Sequence, residues 1–432
     1  MTTALHWFRN DLRVSDNFSL LQACKADKVL AVYCFDPRFF ERDAYGFPRT
    51  GSFRAQFLRE TVRDLRDCLR QRNIPLFVFH GCPEEVLPGL VTRFGVTQIN
   101  AQREWTRDEV RIRDAVLSRL PVEVRFKEHY DQFLYHPEEV PYAGFSKIPE
   151  VFTRFRKACE KQVKVRQCLP PPGKRPETHW VEPEGNIPEL EHLELSPFPS
   201  DPRSAFPFQG GSTAAWDRLQ SYFWEDRRLS FYKKTRNGLL GTDYSSKFSP
   251  WLANGSLSAR EVYCEVRKYE REVVRNQDTY WLIFELIWRD YFKYISLKHG
   301  DRIFQLGGIR GAEQPWGHSK EVLQSWVNGE TDNDFVNANM RELSLTGWMS
   351  NRGRQNVASY WAKTLRQDWR AGAAWFESML LDYDVHSNWG NWMYNSGVGN
   401  DPRDRKFNPS LQAERYDPKG KYRRLWLEPT LF

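Results

Sequence analysis

The chain lacks any apolar run near the roughly 20 residues that a transmembrane helix requires, although 40% of its 432 residues are hydrophobic. Its first residues include Arg9 and Asp11, where a secretory signal would need an uninterrupted apolar stretch. These absences argue against an integral membrane protein. They predict a cytoplasmic protein with no membrane partner.

Cysteine is scarce, and the common catalytic motifs are missing. The seven cysteines form no C-x-x-C pair, and only Cys264 lies beyond residue 168. A disulfide framework, a cysteine zinc site and an iron–sulfur cluster in the C-terminal half are therefore not expected, and no metal site is predicted. G-x-G-x-x-G after a strand, G-x-x-x-x-G-K-[ST], G-x-S-x-G and H-E-x-x-H are also absent, which argues against standard dinucleotide, P-loop, serine hydrolase and zinc protease sites.

Tryptophan and positive charge are what the chain has in excess. The net charge of +7 suits an anionic partner such as nucleic acid without requiring one. All but three of the 17 tryptophans lie at or after Trp216. A large helical core explains their number, because indoles bury much area, but it does not explain why they cluster beside charged residues.

The N-terminal part alternates short apolar runs with helix-length amphipathic segments. The runs are ALHWF, KVLAVYCFD, IPLFVFHG, VTQINAQ and VEVRFKEHY. Runs rich in β-branched and aromatic residues, separated by helices, are typical of β-α-β units. Residues 1–135 are therefore predicted to form an α/β domain with a doubly wound parallel sheet, and such a sheet can hold a ligand at its strand ends.

Composition changes twice after the predicted sheet. Nine prolines lie between Pro170 and Pro202, which is typical of a connector, and residues 136–205 are predicted to be an interdomain linker. From residue 206 to residue 432 the pattern becomes long amphipathic stretches with few β-branched runs. This half is predicted to be an all-α domain.

One predicted helix carries a carboxylate within an aromatic stripe. Asp278 is its expected N-cap and Gly300 its expected end. The spacing of Trp281, Glu285, Trp288 and Phe292 places them on one face. A carboxylate on a buried face is costly without a partner. Two interpretations remain open, namely a polar ligand or an internal salt bridge, for example to Arg289.

Three further clusters contain the donors of a ligand site. The segment TGWMSNRGRQN supplies arginines and amides suited to a phosphate or a heterocycle edge, or else forms a solvated turn. The segment LLDYDVHSNWGNWMYNSG adds carboxylates, amides and glycines that permit close backbone approach. The segment GTDYSSKFSPWL forms either a phosphate cradle or a hydroxyl-capped helix start. Together they predict a helical domain that binds a large phosphate-bearing heterocycle.

Several long motifs in a fixed order give the chain a family resemblance. They are HWFRNDLRVSDN, GTDYSSKFSPWLANGSLS, WLIFELIWRDYF, MRELSLTGWMSNRGRQNVAS and DYDVHSNWGNW. From residue 6 to about residue 426 the chain resembles the photolyase and cryptochrome family, and within it the DASH branch. The resemblance implies an α/β antenna domain joined by a long linker to a helical FAD domain, which agrees with the division above.

The resemblance assigns FAD contacts to the polar clusters. It implies that the pyrophosphate lies on the 245–249 loop, that Asn388 faces flavin N5, and that an Arg354–Asp382 pair stabilises negative charge on the reduced ring. The implied FAD-binding residues are Tyr232, Ser245, Ser246, Lys247, Phe248, Ser249, Trp281, Glu285, Arg289, Asn351, Arg352, Arg354, Asp382, Asp384 and Asn388.

The resemblance also implies a reaction that needs no general acid or base. Reduced FAD, excited by blue light, gives an electron to a cyclobutane pyrimidine dimer flipped out of DNA, and the dimer splits and returns the electron. The implied substrate contacts are Glu285, Trp288, Asn351, Gln355 and Tyr394. Electrons for flavin reduction would pass along Trp392, Trp369 and Trp316, although each tryptophan could simply be part of the core.

Two differences from ordinary dimer photolyases bear on the substrate. Gln355 and Tyr394 stand where a methionine and a second wall tryptophan are usual, as in the DASH branch. A smaller, more polar wall gains less from stacking, whereas unpairing a duplex costs roughly a few kcal/mol. Single-stranded DNA carrying pyrimidine dimers is therefore the expected substrate.

An antenna chromophore and an alternative function complete the sequence-based predictions. Glu104 in QREWT resembles the glutamate that binds 5,10-methenyltetrahydrofolate in the DASH branch, whereas a glutamate on a loop is ordinarily just solvated. The alternative function is a blue-light photoreceptor that binds nucleic acid or a protein partner without repair. A monomer is expected in either case.

Overall fold

The N-terminal domain is built on a five-stranded sheet. In the computed structural model, which describes residues 2–428, the strands pair in parallel in the order β3-β2-β1-β4-β5. They are β1 (Thr3–Trp7), β2 (Lys28–Phe35), β3 (Leu76–His80), β4 (Val96–Gln102) and β5 (Arg125–His129). Each of the five apolar runs forms a strand. The predicted α/β domain with a parallel sheet is therefore confirmed.

Helices cover both faces of this sheet. The helices are α1 (Phe18–Ala23), α2 (Ser52–Arg70), α3 (Pro83–Phe94) and α4 (Arg107–Arg119). Successive strand residues point to opposite faces, so Ala4 packs in one core with Leu65 of α2, and Leu5 packs in another with Leu87 of α3. Because both faces of the sheet are covered by apolar side chains, its strands appear in the sequence as continuous hydrophobic runs.

The predicted linker is packed against both domains. It contains α5 (Phe152–Gln162), a helix that the proline count did not indicate. Phe152 stacks on Trp288 of the helical domain with ring centroids 3.7 Å apart, while Leu190 and Leu193 lie in the core that includes Leu65. The linker residues 136–205 therefore connect two cores and contribute apolar side chains to each.

The C-terminal domain is helical, as predicted. Its helices are α6 (Ser212–Gln220), α7 (Tyr232–Thr235), α8 (Ser249–Asn254), α9 (Ala259–Glu272), α10 (Gln277–His299), α11 (Lys320–Asn328), α12 (Asp334–Thr346), α13 (Asn351–Ser359), α14 (Trp369–Met379), α15 (Val385–Ser396), α16 (Pro409–Tyr416) and α17 (Lys421–Leu427). Among residues 2–428, no helix is both long and apolar enough to cross a membrane.

The central helix of this domain is α10, and its start corrects one prediction. The N-cap is Asn276, not Asp278, because the Asn276 side chain accepts the backbone N–H groups of Asp278 and Thr279. Asp278 instead accepts the backbone N–H of Lys234 at 3.2 Å and ties α7 to α10. The helix ends at Gly300, as the sequence predicts.

Candidate flavin and substrate site

A cavity of about 420 Å³ opens among α7, α8, α10, α13 and α15. Most of the residues that the sequence analysis selected line it, although they come from six separate segments of the chain. The selected residues on its wall are Tyr232, Ser245, Ser246, Lys247, Phe248, Ser249, Glu285, Trp288, Arg289, Asn351, Arg354, Gln355, Asp382, Asp384 and Tyr394.

The 245–249 loop presents an unpaired ammonium group. Lys247 has a positive φ of 65°, and its buried Nζ has no hydrogen-bond partner among the described residues. The Nζ lies 3.2 Å from the centroid of Tyr244 and 4.6 Å from that of Trp348. Burial lowers the pKa of Lys247, because the charged form is poorly solvated there. A buried, unsatisfied cation is a suitable donor for a bound anion.

Arg218 of α6 holds this loop in place, a role that the sequence analysis missed. Its guanidinium donates to the carbonyls of Ser245 and Ser246, each at 3.2 Å, and pairs with Asp243 at 3.0 Å. The alternative role of the loop, a hydroxyl helix cap, is not observed. The N-cap of α8 is Phe248, which has no capping side chain.

Glu285 is held by two partners on α7 and just after it. The Tyr232 hydroxyl and the Arg236 guanidinium each donate to one of its carboxylate oxygens. Its side chain remains 28% exposed because it faces the cavity. Burial raises the pKa of Glu285 and Arg236 opposes that rise. The carboxylate therefore has an internal ion-pair partner and also faces the cavity, and its contact with a polar ligand stays a prediction.

Arg289 is not the partner of Glu285. It donates to the backbone carbonyls of Gln132 at 2.6 Å and Leu252 at 3.0 Å. The partner is Arg236, which no sequence motif indicated. Spacing along α10 could not find it, because Arg236 reaches Glu285 from another part of the chain.

Two carboxylates on the cavity wall, Asp382 and Asp384, each form an ion pair. Arg354 Nη2 lies 2.9 Å from Asp382 Oδ1, as the family resemblance implied. Asp384 pairs with Lys293 of α10 at 2.7 Å and also accepts the backbone N–H of Ser387, which caps α15. Burial would raise the pKa of Asp384, but Lys293, His386 and Arg289 together lower it well below its usual range.

Asn388 and Trp392 line a smaller adjoining cavity of about 80 Å³. This space shares Arg354, Asp382 and Asp384 with the larger cavity, so the two are continuous along one wall. Asn388 Nδ2 donates to the carbonyl of Ala373 at 3.0 Å, which fixes the amide orientation.

The three selected tryptophans differ in depth. Trp392 and Trp369 are fully buried, whereas Trp316 is partly exposed beside a surface pocket that also includes Leu306. Trp369 Nε1 donates to the Leu306 carbonyl at 2.9 Å. Trp392 packs on Gly372, one turn from Trp369 on α14, where an added Cβ would lie 2.2 Å from the indole. The three indoles thus run from the cavity towards the surface.

Two of the implied FAD-binding residues line neither the larger nor the smaller cavity. Trp281 packs on Phe284 with centroids 4.6 Å apart, and the Lys233 ammonium lies over its ring. Arg352 donates to Asn237 Oδ1 at 3.3 Å and lies over the Tyr416 ring. Helical spacing placed Trp281 on the face that carries Glu285 but did not indicate which element covers it, whereas Arg352 was selected from a polar cluster and the family resemblance.

Glu104 lies in a second cavity of about 320 Å³ between the α/β and helical domains. It accepts a hydrogen bond from Gln102 Nε2 at 2.8 Å, and burial raises its pKa to about 7. The neighbouring Trp105 stacks on His386 of α15 and donates to Ser296 of α10 at 2.8 Å. Glu104 is therefore not on a solvated loop, because Trp105 anchors that loop to the helical domain.

Comparison with known proteins agrees with this geometry. A DNA photolyase family model matches residues 4–177, and a model described as the FAD binding domain of DNA photolyase matches residues 281–431. Cryptochrome DASH of Gloeobacter violaceus is 49% identical over 98% of this chain and 85% of its own length. The chain belongs to the photolyase and cryptochrome family.

Solved structures of the family share the fold over nearly the whole chain. The cryptochrome of Synechocystis sp. PCC6803 superposes with a TM-score of 0.93 at 44% identity, covering 99% of this chain and 89% of that one. The photolyase of Sulfolobus tokodaii, described as holding two FAD molecules, gives a TM-score of 0.79 at 26% identity, covering 99% and 90%. The α/β and helical domains are thus those of a photolyase or cryptochrome.

The residues present fit the FAD that this photolyase-type domain binds. Lys247 supplies a buried cation without a partner, and a pyrophosphate is the anion that FAD would bring to it. Arg354 beside Asp382 supplies a positive charge near the cavity shared with Asn388. The unpaired Oε1 of Gln355 offers an acceptor on the same wall. The donor set therefore matches a flavin nucleotide.

Proposed function

We propose that this chain is a blue-light-dependent lyase that splits cyclobutane pyrimidine dimers, preferentially in single-stranded DNA. The observation that carries the proposal is Glu285, an acidic side chain open to the cavity and close to the aromatic wall of Trp288 and Tyr394. In a merely structural ion pair, the carboxylate would not need to face a cavity.

The wall of the cavity suits a flat, polar heterocycle. Trp288 meets Tyr394 edge to face with centroids 5.9 Å apart, and Phe152 of the linker covers one face of Trp288. Fixed aromatic rings provide a stacking surface at low entropic cost. Glu285 can accept an N–H from a base or, when protonated, donate to a base carbonyl.

The chemistry of the cleavage step comes from the cofactor. When bound, reduced and photoexcited FAD would supply the electron that splits the dimer. The protein's own groups orient the dimer and exclude water. Arg354 and Asp382 balance charge beside the flavin site.

The preference for single strands rests on Gln355 and Tyr394, both on the cavity wall. A glutamine and a phenol offer less stacking area than a methionine and an indole. Less energy is then available to offset base unpairing, which costs roughly a few kcal/mol in a duplex. A monomeric state and a cytoplasmic location stay predictions of the sequence.

The second cavity is proposed to hold a folate antenna, 5,10-methenyltetrahydrofolate. A buried carboxyl such as Glu104 is a natural partner for the N–H groups of a pterin, and Arg9 and Lys293 line the same space. Glu104→Gln should lower folate retention without changing the flavin content. Absorption of the two chromophores after denaturation and extraction measures both quantities.

The repair assay that tests the main proposal uses an oligonucleotide with one thymine dimer. Reduced protein with confirmed flavin content is mixed with single-stranded or duplex substrate, under blue light or in the dark. We expect light-dependent repair that is faster on the single strand. Glu285→Ala should lower repair by about 10-fold or more while keeping the flavin spectrum. The exposed Glu272→Gln on α9 serves as the control.

Failure of repair in flavin-loaded protein would favour the alternative, a photoreceptor. That function is supported by the tryptophan series Trp392, Trp369 and Trp316, which needs no contact with Glu285. The discriminating observation is flavin photoreduction, with a light-dependent change in nucleic-acid affinity, in protein that repairs neither substrate.

A further inference from the structure

Two thiols from distant parts of the chain meet beside the junction of the linker and the helical domain. Cys168 lies in the linker and Cys264 on α9, 96 residues apart in sequence. The Cys168 thiol donates to the Cys264 sulfur with an Sγ–Sγ distance of 3.2 Å. None of the seven described cysteines forms a disulfide.

The backbone on both sides of the pair is fixed. Leu169, next to Cys168, exchanges two hydrogen bonds with Asp16 of the α/β domain, at 2.9 and 3.0 Å. Asp16 in turn pairs with Arg260 on the first turn of α9 at 2.8 Å. One carboxylate therefore positions the segments that carry both cysteines. Both cysteine residues are partly exposed, so we expect a small oxidant to reach the pair.

The hydrogen bond also prepares one sulfur for reaction. Donation by the Cys168 thiol lowers the pKa of Cys264 and raises that of Cys168, although burial opposes the effect at Cys264. The carboxylates of Asp16, Glu261 and Glu265 lie around the pair. The thiolate is the nucleophilic form of cysteine, so Cys264 is the attacking residue and Cys168 the resolving one.

We propose that Cys168 and Cys264 form a redox modification site, which a peroxide converts into an intramolecular disulfide joining the linker to α9. The Cys264 thiolate attacks one peroxide oxygen, the O–O bond breaks, and the leaving hydroxide takes up a proton to become water. Cys168 then attacks the resulting sulfenic sulfur, loses its proton, and displaces a second water. The two thiols lose two electrons and the peroxide gains them.

The geometry permits this bond with little movement. A disulfide has an S–S length of about 2.05 Å, so the sulfurs must approach by about 1.2 Å. The cross-link closes a long loop, which restricts the unfolded chain. Cys264 is not on the flavin cavity, so oxidation should stabilise the domain junction and leave the flavin absorption unchanged.

The test is peroxide treatment of the folded, FAD-loaded protein, followed by alkylation, digestion and mass mapping. We expect a peptide pair linked through Cys168 and Cys264, the loss of two titratable thiols, a Tm several degrees higher, and reversal by a dithiol reductant. Cys68→Ser removes another partly exposed thiol, on α2, and should leave all four results unchanged.

Single variants decide between pairing and random oxidation. Cys168→Ser and Cys264→Ser should each abolish the cross-link and the rise in Tm, and Cys168→Ala provides a second form if the serine variant folds poorly. Sulfinic acid at Cys264 without cross-linking, faster pairing of any other cysteines, or a link seen only after unfolding would overturn the proposal. None of these results depends on DNA repair.

Discussion

Single side chains in this protein take their properties from burial more than from their neighbours in sequence. Lys247, Glu104 and Glu342 are all nearly inaccessible, and burial shifts the pKa of each towards the uncharged form. A buried charge without sufficient partners is expensive. Glu104 and Lys247 each line a cavity, so a ligand bound there would offset part of the cost of burying them.

The Lys247→Met variant tests whether the buried lysine lowers stability and strengthens FAD binding. Without a ligand, the methionine protein should be more stable, because no unpaired ammonium is buried. Its FAD affinity should fall by about 10-fold, because one charge-assisted contact to phosphate is lost. Fluorescence titration of the apoprotein with FAD and thermal unfolding measure the two effects.

The matched control is Lys268→Met on α9. That lysine also lies over an indole, Trp224, but it is solvent-exposed and is not among the cavity-lining residues. Equal FAD affinity of the Lys247 variant and the parent would contradict the assignment of this residue to the pyrophosphate.

Glu104 makes stability depend on pH in a defined window. Its folded pKa is about 7 against an ordinary value of 4.5. Below pH 4.5 both states hold the proton. Between pH 4.5 and pH 7 the unfolded chain releases the proton while the folded protein keeps it, so the free energy of unfolding falls as pH rises. Above pH 7 both states have released the proton, and the lost stability stays constant at no more than about 3 kcal/mol.

Glu104→Gln should therefore be more stable than the parent at pH 8, and the gain should vanish near pH 4.5. Urea unfolding across this range measures the difference, with the exposed Glu123→Gln as the control. A gain that does not change with pH would show that Glu104 is not held in its protonated form by burial.

At the scale of secondary-structure elements, contacts between helices determine where the site residues lie. Patterning correctly indicated the five strands, the end of α10 at Gly300 and the helical character of the C-terminal half. It missed α5 within the proline-rich linker and put the N-cap of α10 two residues late. Capping depends on which side chain turns back to the helix, and composition does not encode that choice.

The contact between α14 and α15 depends on Gly372. A methyl group there would lie 2.2 Å from the Trp392 ring. We expect Gly372→Ala to destabilise the protein by about 1–3 kcal/mol through overpacking. Flavin photoreduction should also slow as the indole shifts. Denaturant unfolding and flavin absorption under blue light provide the two measurements.

Gly89→Ala on α3 separates this packing effect from helix propensity. Gly89 is exposed, and a Cβ there meets no atom within 4 Å, so alanine should stabilise that helix by up to about 1 kcal/mol. If the Gly372→Ala and Gly89→Ala proteins were both more stable than the parent, the close contact between Trp392 and α14 would be contradicted.

At the scale of the whole molecule, the two proposed functions, dimer repair and flavin photoreduction, would use the same cofactor site. Glu285 and Trp288 face the proposed DNA side, whereas Trp392, on the other side of the shared wall, leads through α14 towards Trp316. The proposed route for reducing the flavin is therefore expected to be separate from the surface that would contact a dimer.

Trp392→Phe should separate these functions. Photoreduction of oxidised flavin should be strongly slowed, because phenylalanine is not an electron donor under these conditions. Repair by chemically reduced protein should persist, since Glu285 and Trp288 are unchanged. Flavin absorption during illumination measures photoreduction, and the single-strand assay measures repair. Loss of both activities in protein that still binds flavin would contradict the separation of the two functions.

The sequence by itself determined the fold class, the helical flavin domain and most of the cavity lining, because strand and helix periodicities and long motifs are local in sequence. Only the tertiary structure decided that Arg236 holds Glu285, that Lys293 pairs with Asp384, and that Trp105 anchors the Glu104 loop to α15. It also brought Cys168 to Cys264. The reason is physical: these partners come from separate elements, and packing brings them within bonding distance whereas spacing along the chain does not.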